Sequence, residues 1–213
     1  MSITSLGNLG VSASKSNTIS GSKFKGFTCE YLVIAGGGGG GSGEANTRAG
    51  GAGAGGYINS FASETSGGGD DTAPKAFIEL GKNYLVEIGA GGTGSNLGRG
   101  GGSGTGSQFQ PIVAIGGGHG SQRHASGGQG GSGGGTAGGN ASATSSTAGT
   151  ANTGSGAGCP GNGQAGNGGS GVVIVRYPKE FTITVGSSLT SSTATDGSDK
   201  VTTFTAGTDT VSF

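Results

Sequence analysis

Few side chains in this sequence could do chemistry, and the most distinctive group is a polar cluster inside a glycine-rich stretch. His119, Gln122, Arg123 and His124 lie within six residues of one another, and the two histidines are the only ones in the chain. Side chains of these types on a glycine-rich loop are suited to contact a receptor. The two imidazoles could instead hold a metal ion weakly, although a structural metal site requires about four ligands. The remaining interpretation is a solvated loop tip.

Two further patterns match chemical motifs only formally. Gly36-x-Gly38-x-x-Gly41 fits a dinucleotide fingerprint, but six consecutive glycines satisfy any such pattern, and no helix-forming sequence follows to hold a pyrophosphate. Asp70-Asp71 could offer a calcium ligand pair, but a solvated turn is the favoured interpretation of these residues. No group of side chains supplies a nucleophile, a base and an orienting residue. We therefore expect no enzyme activity, no catalytic residues, no cofactor and no structural metal.

Composition excludes several other classes of protein. Glycine accounts for 56 of the 213 residues, and eleven basic side chains balance eleven acidic ones. A nucleic-acid binder needs an excess of Lys and Arg, so we expect none here. No apolar run approaches the length of a membrane span, and the first residues lack the basic and apolar regions of a signal peptide. Cys29 and Cys159 do not form a disulfide scaffold.

Short runs of β-branched and aromatic residues, bounded by glycine or proline, predict strands. They fall at residues 30–35, 57–61, 77–80, 84–88, 111–115 and 172–178, and Gly81-Lys82-Asn83 predicts a hairpin-like turn between two of them. After these, residues 181–185, 200–204 and 209–213 predict three more strands, with a Ser/Thr-rich turn at 186–199. No segment combines helical periodicity with caps, so we expect no substantial α-helix.

The glycine-rich stretch at residues 116–170 has no large apolar residue, so it cannot bury a hydrophobic core. One interpretation is a flexible linker. The other is a bundle of polyproline-II-like extended helices, in which absent side chains let the backbones of neighbouring segments hydrogen-bond to each other. Glycine blocks begin directly at the ends of apolar strands, and the stretch returns to a strongly apolar strand at 172–177. This arrangement favours the bundle.

The chain contains four motifs in this order: Glu30–Gly41, Ala52–Tyr57, Tyr84–Gly94 and Gly169–Pro178. Their order resembles that of the glycine-rich domain of bacteriophage tail-fibre and adhesin proteins. The resemblance covers about residues 30–178 and the C-terminal tail. It implies an all-β fold with an N-terminal arm or edge strands at 1–29, a glycine-rich β and extended-helix domain at 30–178, and a C-terminal β region at 179–213.

The resemblance also implies a function. The expected protein is a virion structural protein, a tail-fibre or fibre-tip adhesin that recognises the host surface by non-covalent binding. Its expected partners are other virion proteins, further copies of itself, and a host surface glycan or outer-membrane protein. Fibre practice favours a trimer, and unpaired edges expected at residues 181–185 and 200–213 favour self-association. The protein would be made in the host cytoplasm and exposed on the virion surface.

Two alternatives to an adhesin remain. One is a capsid decoration, capsid-fibre or other architectural virion protein, which would use the same fold without binding the host. The other is an ice- or polysaccharide-binding protein that presents a flat face. Such a face would carry Thr or Ala at every third residue, and residues 136–153 show no steady repeat of this kind.

Overall fold

The computed structural model describes residues 25–44, 49–96, 98–122, 127–129, 145–161 and 163–213. Within these residues, eleven strands form two antiparallel sheets, and the helical structure is a 3-10 turn at Gly67–Gly69. This confirms the all-β prediction, and no helix of the described residues is long or apolar enough to cross a membrane. The strands are β1 (Gly26–Ile34), β2 (Tyr57–Asn59), β3 (Ala76–Glu79), β4 (Tyr84–Glu87), β5 (Ser107–Phe109), β6 (Ile112–Ala114), β7 (Val172–Pro178), β8 (Thr184–Val185), β9 (Thr190–Asp196), β10 (Asp199–Ala206) and β11 (Thr208–Ser212).

The first sheet is built around β1, the longest strand. The order is β2-β1-β7-β10-β9. Strand β3 pairs with the first half of β1, at residues 26–29, whereas β2 pairs with its last residues, 32–34. Alternate residues of β1 point inward, because successive side chains of a strand face opposite sides of its sheet. Tyr31 and Val33 on β1 lie opposite Val175 and Val173 on β7, and all four are buried.

The second sheet covers the inner face of the first and completes a sandwich. Its order is β6-β5-β4-β11-β8, and its buried residues include Tyr84, Val86, Phe109 and Val211. The chain passes from β10 in one sheet to β11 in the other through Gly207. This residue has φ +100°, a conformation that favours glycine. Each sheet therefore contains strands that come before Pro178 in the sequence and strands that come after it.

The glycine run Gly36–Gly41 forms the centre of a bundle of extended segments. Its hydrogen bonds repeat every three residues, and the N···O distances of its amides are 2.8 to 3.1 Å. Amides 36, 39 and 42 donate to carbonyls of residues 99–105. Amides 37 and 40 donate to residues 166–169, and amides 38 and 41 donate to residues 50–53. Carbonyls 36 and 39 accept from residues 117 and 120, carbonyls 37 and 40 from residues 92 and 95, and carbonyl 38 from Ala157. Three residues per turn is the period of polyproline II.

The six neighbours of this central segment also bond to one another, and they close a ring around it. Adjacent members run antiparallel, as when amides 165, 168 and 171 donate to carbonyls 95, 92 and 89. In ring order, the segments are residues 50–56, 115–121, 101–105, 89–95, 165–171 and 154–157, and the last bonds back to the first. The backbone N–H and C=O groups of neighbouring segments thus serve as hydrogen-bond partners for each other.

Glycine is required at the centre of the bundle because the segments lie almost backbone to backbone. A Cβ added at any position from Gly36 to Gly41 would overlap a carbonyl oxygen of a neighbouring segment. The sandwich holds these segments in place, because most of them continue a strand without a break. Residues 36–41 follow β1, 89–95 follow β4 and 115–121 follow β6, while 50–56, 101–106 and 165–171 lead into β2, β5 and β7.

Two local predictions are wrong in part. Gly81-Lys82-Asn83 does not connect hairpin partners, because β3 belongs to the first sheet and β4 to the second. The Ser/Thr-rich stretch 186–199 is not only a turn, since it contains β9, a seven-residue strand. Strand β9 pairs with β10 along one edge and buries neither face, so its sequence needs no apolar residues. The sequence also did not indicate β5, whose first two residues are polar.

The two cysteines are separate free thiols, one in the sandwich and one at the other end of the bundle. Cys29 is buried in the core, and burial raises its pKa to about 12 from the ordinary value of 9.0. Cys159 is half-buried, and its Sγ donates to the carbonyl of Ala49 at 3.0 Å. A reactive cysteine is an accessible thiolate. The two thiols should therefore differ strongly in reactivity.

We expect a thiol reagent at pH 8 to modify Cys159 in the folded protein and to spare Cys29. Mass spectrometry should find one label in the native protein, two after denaturation, and none in folded Cys159→Ser. The folded pKa of Cys29 exceeds its unfolded value, so this group costs no stability below about pH 9 and lowers stability as the pH rises from about 9 towards 12. Labelling of both thiols at equal rates in the native protein would contradict this placement.

Candidate functional site

The end of the bundle opposite the sandwich, here called the distal end, is made of chain reversals. The chain turns there after the central segment and again between the other pairs of extended segments. One of these turns has a glycine in a conformation that favours this residue, since Gly98 has φ +71° and the side chain of Glu44 lies directly beside it. The described residues of the distal loops are 42–44, 49–50, 95–96, 98–99, 121–122, 158–161 and 163–164.

Serine side chains tie the distal loops together. The amide of Ser42 donates to the carbonyl of Arg99 at 2.9 Å, and its buried hydroxyl donates to the carbonyl of Gly163. The hydroxyl of Ser95 donates to the same Arg99 carbonyl at 2.6 Å. Among the described residues, every buried side-chain nitrogen and oxygen has a hydrogen-bond partner. The loops are therefore supported on a fixed backbone, which is what a recognition surface requires.

A shallow polar cleft lies at the chain reversal that joins segment 89–95 to segment 101–105. Thr93, Ser95, Asn96 and Arg99 line it, together with the backbone of Gly94 and Gly100. Arg99 is exposed, and no carboxylate of the described residues lies within ion-pair distance of its guanidinium. A guanidinium with five donors beside an exposed amide and hydroxyls is suited to bind a planar anion such as a carboxylate, or a sugar rich in hydroxyls.

His119 and Gln122 lie on the bundle segment adjoining this cleft. Their spacing of three residues places them on the same side of an extended helix with three residues per turn. The imidazole Nδ1 of His119 is 3.2 Å from the hydroxyl of Ser103, and its carbonyl accepts from the amide of Gly128 at 3.0 Å. Gln122 is exposed at the end of the segment. A Cβ on Gly100 would lie 3.7 Å from the His119 ring and from the Gln122 amide nitrogen.

The predicted receptor-contact group is therefore described only in part. His119 and Gln122 lie beside the cleft, and the predicted residues Arg123 and His124 lie outside the described residues. Sequence reasoning missed Arg99 and Asn96, which are 20 or more residues away from His119 and Gln122 in the chain. The one available signal was an isolated arginine within a glycine block, in the stretch Gly98-Arg99-Gly100.

The formal motifs take no part in a site. The amides of Gly36, Gly38 and Gly41 all donate to backbone carbonyls of neighbouring segments, so none is directed at a phosphate. Asp70 follows the 3-10 turn, and its carbonyl accepts from the amide of Ser66 at 3.0 Å. Across the described ranges, no three His, Cys, Asp or Glu side chains come together as a metal site would require.

Comparison with known proteins identifies the glycine-rich part of the chain. A family model described as a glycine-rich domain matches residues 16–150. This range includes the central segment, four of its ring neighbours and the cleft. Neither the curated proteins nor the solved structures contain a significant match to the chain.

Proposed function

This chain belongs to the glycine-rich domain family, and from the order of its four sequence motifs we propose that it is a bacteriophage virion protein, a tail-fibre or fibre-tip adhesin that recognises the host surface without covalent chemistry. The observation that carries the proposal is the arrangement of the bundle. Its segments are anchored to the sandwich at one end, and the described parts of its polar loops lie together at the other. Such a scaffold displays a binding surface at little entropic cost, because the described loop residues are hydrogen-bonded to the bundle before a ligand arrives.

The proposed ligand is a host surface glycan or the exposed part of an outer-membrane protein. The cleft of Thr93, Ser95, Asn96 and Arg99 supports an acidic glycan as the first candidate, since its one charged side chain is a cation. A single such cleft binds weakly. We propose that the protein acts as a homo-oligomer together with other virion proteins, so that many weak contacts add through their high effective concentration.

Arg99→Ala should weaken attachment of the purified protein to permissive bacterial cells by about tenfold, which corresponds to one charge-assisted contact. Fluorescently labelled protein and flow cytometry measure the effect. Lys179→Ala is the matched control, because Lys179 is also exposed and lies at the sandwich end of the molecule. Equal binding by both variants would contradict the placement of the binding site. Absence of binding to every permissive host, together with full infectivity of particles lacking the protein, would refute the adhesin function.

A second candidate is an architectural virion protein, such as a capsid decoration or capsid-fibre subunit. The open edge of β9 favours it, because a fully exposed seven-residue strand is suited to join protein chains. Quantitative mass spectrometry of virions separates the two functions. Hundreds of copies per particle, placed on the head by immunogold labelling, would indicate decoration, whereas a few to a few dozen copies at the tail would indicate a fibre.

A further inference from the structure

Strand β9 is an edge strand with properties that the other edges lack. All seven of its residues, Thr190–Asp196, are exposed, so the second sheet covers neither of its faces. Across the described part of the chain, the remaining edge strands have two to four residues: β2 and β3 in the first sheet, and β6 and β8 in the second. Short edges are one way in which proteins avoid pairing with other chains. The edge of β9 has no such protection.

The sequence of β9 also lacks the other protective features. Residues 190–195 contain no charge and no proline. The only charged side chain is Asp196 at the end of the strand, and Arg176 Nη1 holds its carboxylate at 2.7 Å. The register shift in this hairpin falls on β10, between Phe204 and Ala206, near the opposite end. An antiparallel edge strand presents about half of its amides and carbonyls outward, and no described segment other than β10 hydrogen-bonds to the backbone of β9.

Packing within the chain does not account for this strand. Among the described residues, its one side-chain hydrogen bond to a buried residue joins Thr193 Oγ1 to Thr202 Oγ1, which are 2.8 Å apart. The strand therefore adds little apolar burial, yet it extends along seven residues of β10. A strand of this length with an open edge is suited to pair along that edge with another strand.

We propose that β9 pairs with β9 of a second copy of this chain, antiparallel and about a two-fold axis through Thr193. In this register Ser192 lies opposite the partner's Ala194, and Asp196 lies opposite the partner's Thr190. No like charges face each other, and threonine, which is favoured in strands, faces itself at the axis. The pairing joins the two first sheets into one and adds about six to eight backbone hydrogen bonds.

This interface follows from the sheet alone and does not depend on the proposed virion function. A single pair of strands buries less than the roughly 800 Å² per partner of a standard interface, so association is expected in the micromolar range. A two-fold pair gives an assembly with an even number of copies, whereas the fibre resemblance favours three. The number of copies in solution therefore distinguishes this edge from a three-fold interface.

Sedimentation velocity of the full chain, from low-micromolar to submillimolar concentration, tests the pairing. The unsubstituted protein should shift from monomer to dimer, and Ser192→Lys/Ala194→Lys should weaken dimerisation at least about tenfold, because lysines then face each other across the axis. Thr208→Lys/Thr210→Lys is the matched control. It adds the same charges at the same spacing on β11, an interior strand that pairs with β4 and β8, and should still dimerise. Circular dichroism checks that each variant is folded.

Mixing two variants tests the register. Ser192→Asp/Ala194→Asp alone should also be monomeric, and an equimolar mixture with the double lysine variant should restore the dimer, because each lysine then faces an aspartate. A monomeric unsubstituted protein at all concentrations, a trimer, or a lysine variant that dimerises normally would each overturn the proposal. A mixture that stays monomeric would overturn the register about Thr193.

Discussion

Gly39→Ala should lower the free energy of unfolding by about 4 kcal/mol or more, which is beyond the usual range for one added methyl group. The new Cβ would overlap the carbonyl group of Thr93, and the carbonyl oxygen of Gly92 would be only 2.7 Å away. These are backbone atoms, so no side chain can rotate to make room. To relieve the overlap, the central segment must move away from its neighbours. That movement would weaken the bonds of the Gly39 amide to Gly102 and of its carbonyl to Gly120.

Gly51→Ala is the matched control for this substitution. Gly51 is an exposed residue of a ring segment, and a Cβ there would meet only the carbonyl oxygen of Ala157, at 3.5 Å. Because alanine also reduces the conformational freedom of the unfolded chain, the change in stability should stay within about 1 kcal/mol. Urea unfolding measures both variants. Equal stabilities would show that the central glycines are not packed backbone to backbone.

Phe109→Ala should cost about 3 to 5 kcal/mol, the range for a fully buried aromatic side chain. Phe109 on β5 is completely buried between the sheets, and its ring lies 6.0 Å from that of Tyr84. Segment 101–106 leads directly into β5, and five further strands, β1, β2, β4, β6 and β7, also continue into bundle segments. The loss should therefore destabilise the bundle together with the sandwich, and calorimetry should show a single transition at a lower temperature.

Phe77→Ala is the control for this prediction, because Phe77 is also on a strand but is 52% exposed. Its truncation should cost about 1 kcal/mol or less, since little of the ring leaves water on folding. Two separate calorimetric transitions in Phe109→Ala, with the upper one unchanged, would show that the bundle and the sandwich are independent units.

The general form of the fold could be predicted from the sequence. Runs such as 30–35 and 172–178 are strongly apolar, and the glycine blocks attached to them have no side chains to bury, so backbone pairing was the remaining source of cohesion. The ring order of the segments could not be predicted. Glycine has no side chain, so the local sequence does not indicate which of the six neighbouring segments each amide will bond to.

The wrong predictions have a similar physical cause, because the local sequence does not contain the tertiary contacts that decide these features. Strand β9 was predicted as a turn because its Ser and Thr residues carry no alternation, and alternation appears only where one face is buried. The sequence predicts a turn at Gly81-Lys82-Asn83. Distant strands determine whether the two strands that flank this turn pair with each other or belong to different sheets. Arg99 approaches His119 and Gln122 only through the tertiary arrangement of the bundle.

Hydrogen exchange at the amides of Gly36–Gly41 tests the central claim most directly. This segment has no side chains, and each of its amides donates to a different neighbour or turn of the bundle. If the backbones form a core of their own, these amides should exchange as slowly as those of Val33 and Val175 in the sandwich, with protection near the global stability. Exchange of Gly36–Gly41 at the rate of an unstructured peptide, while Val33 and Val175 stay protected, would contradict the account.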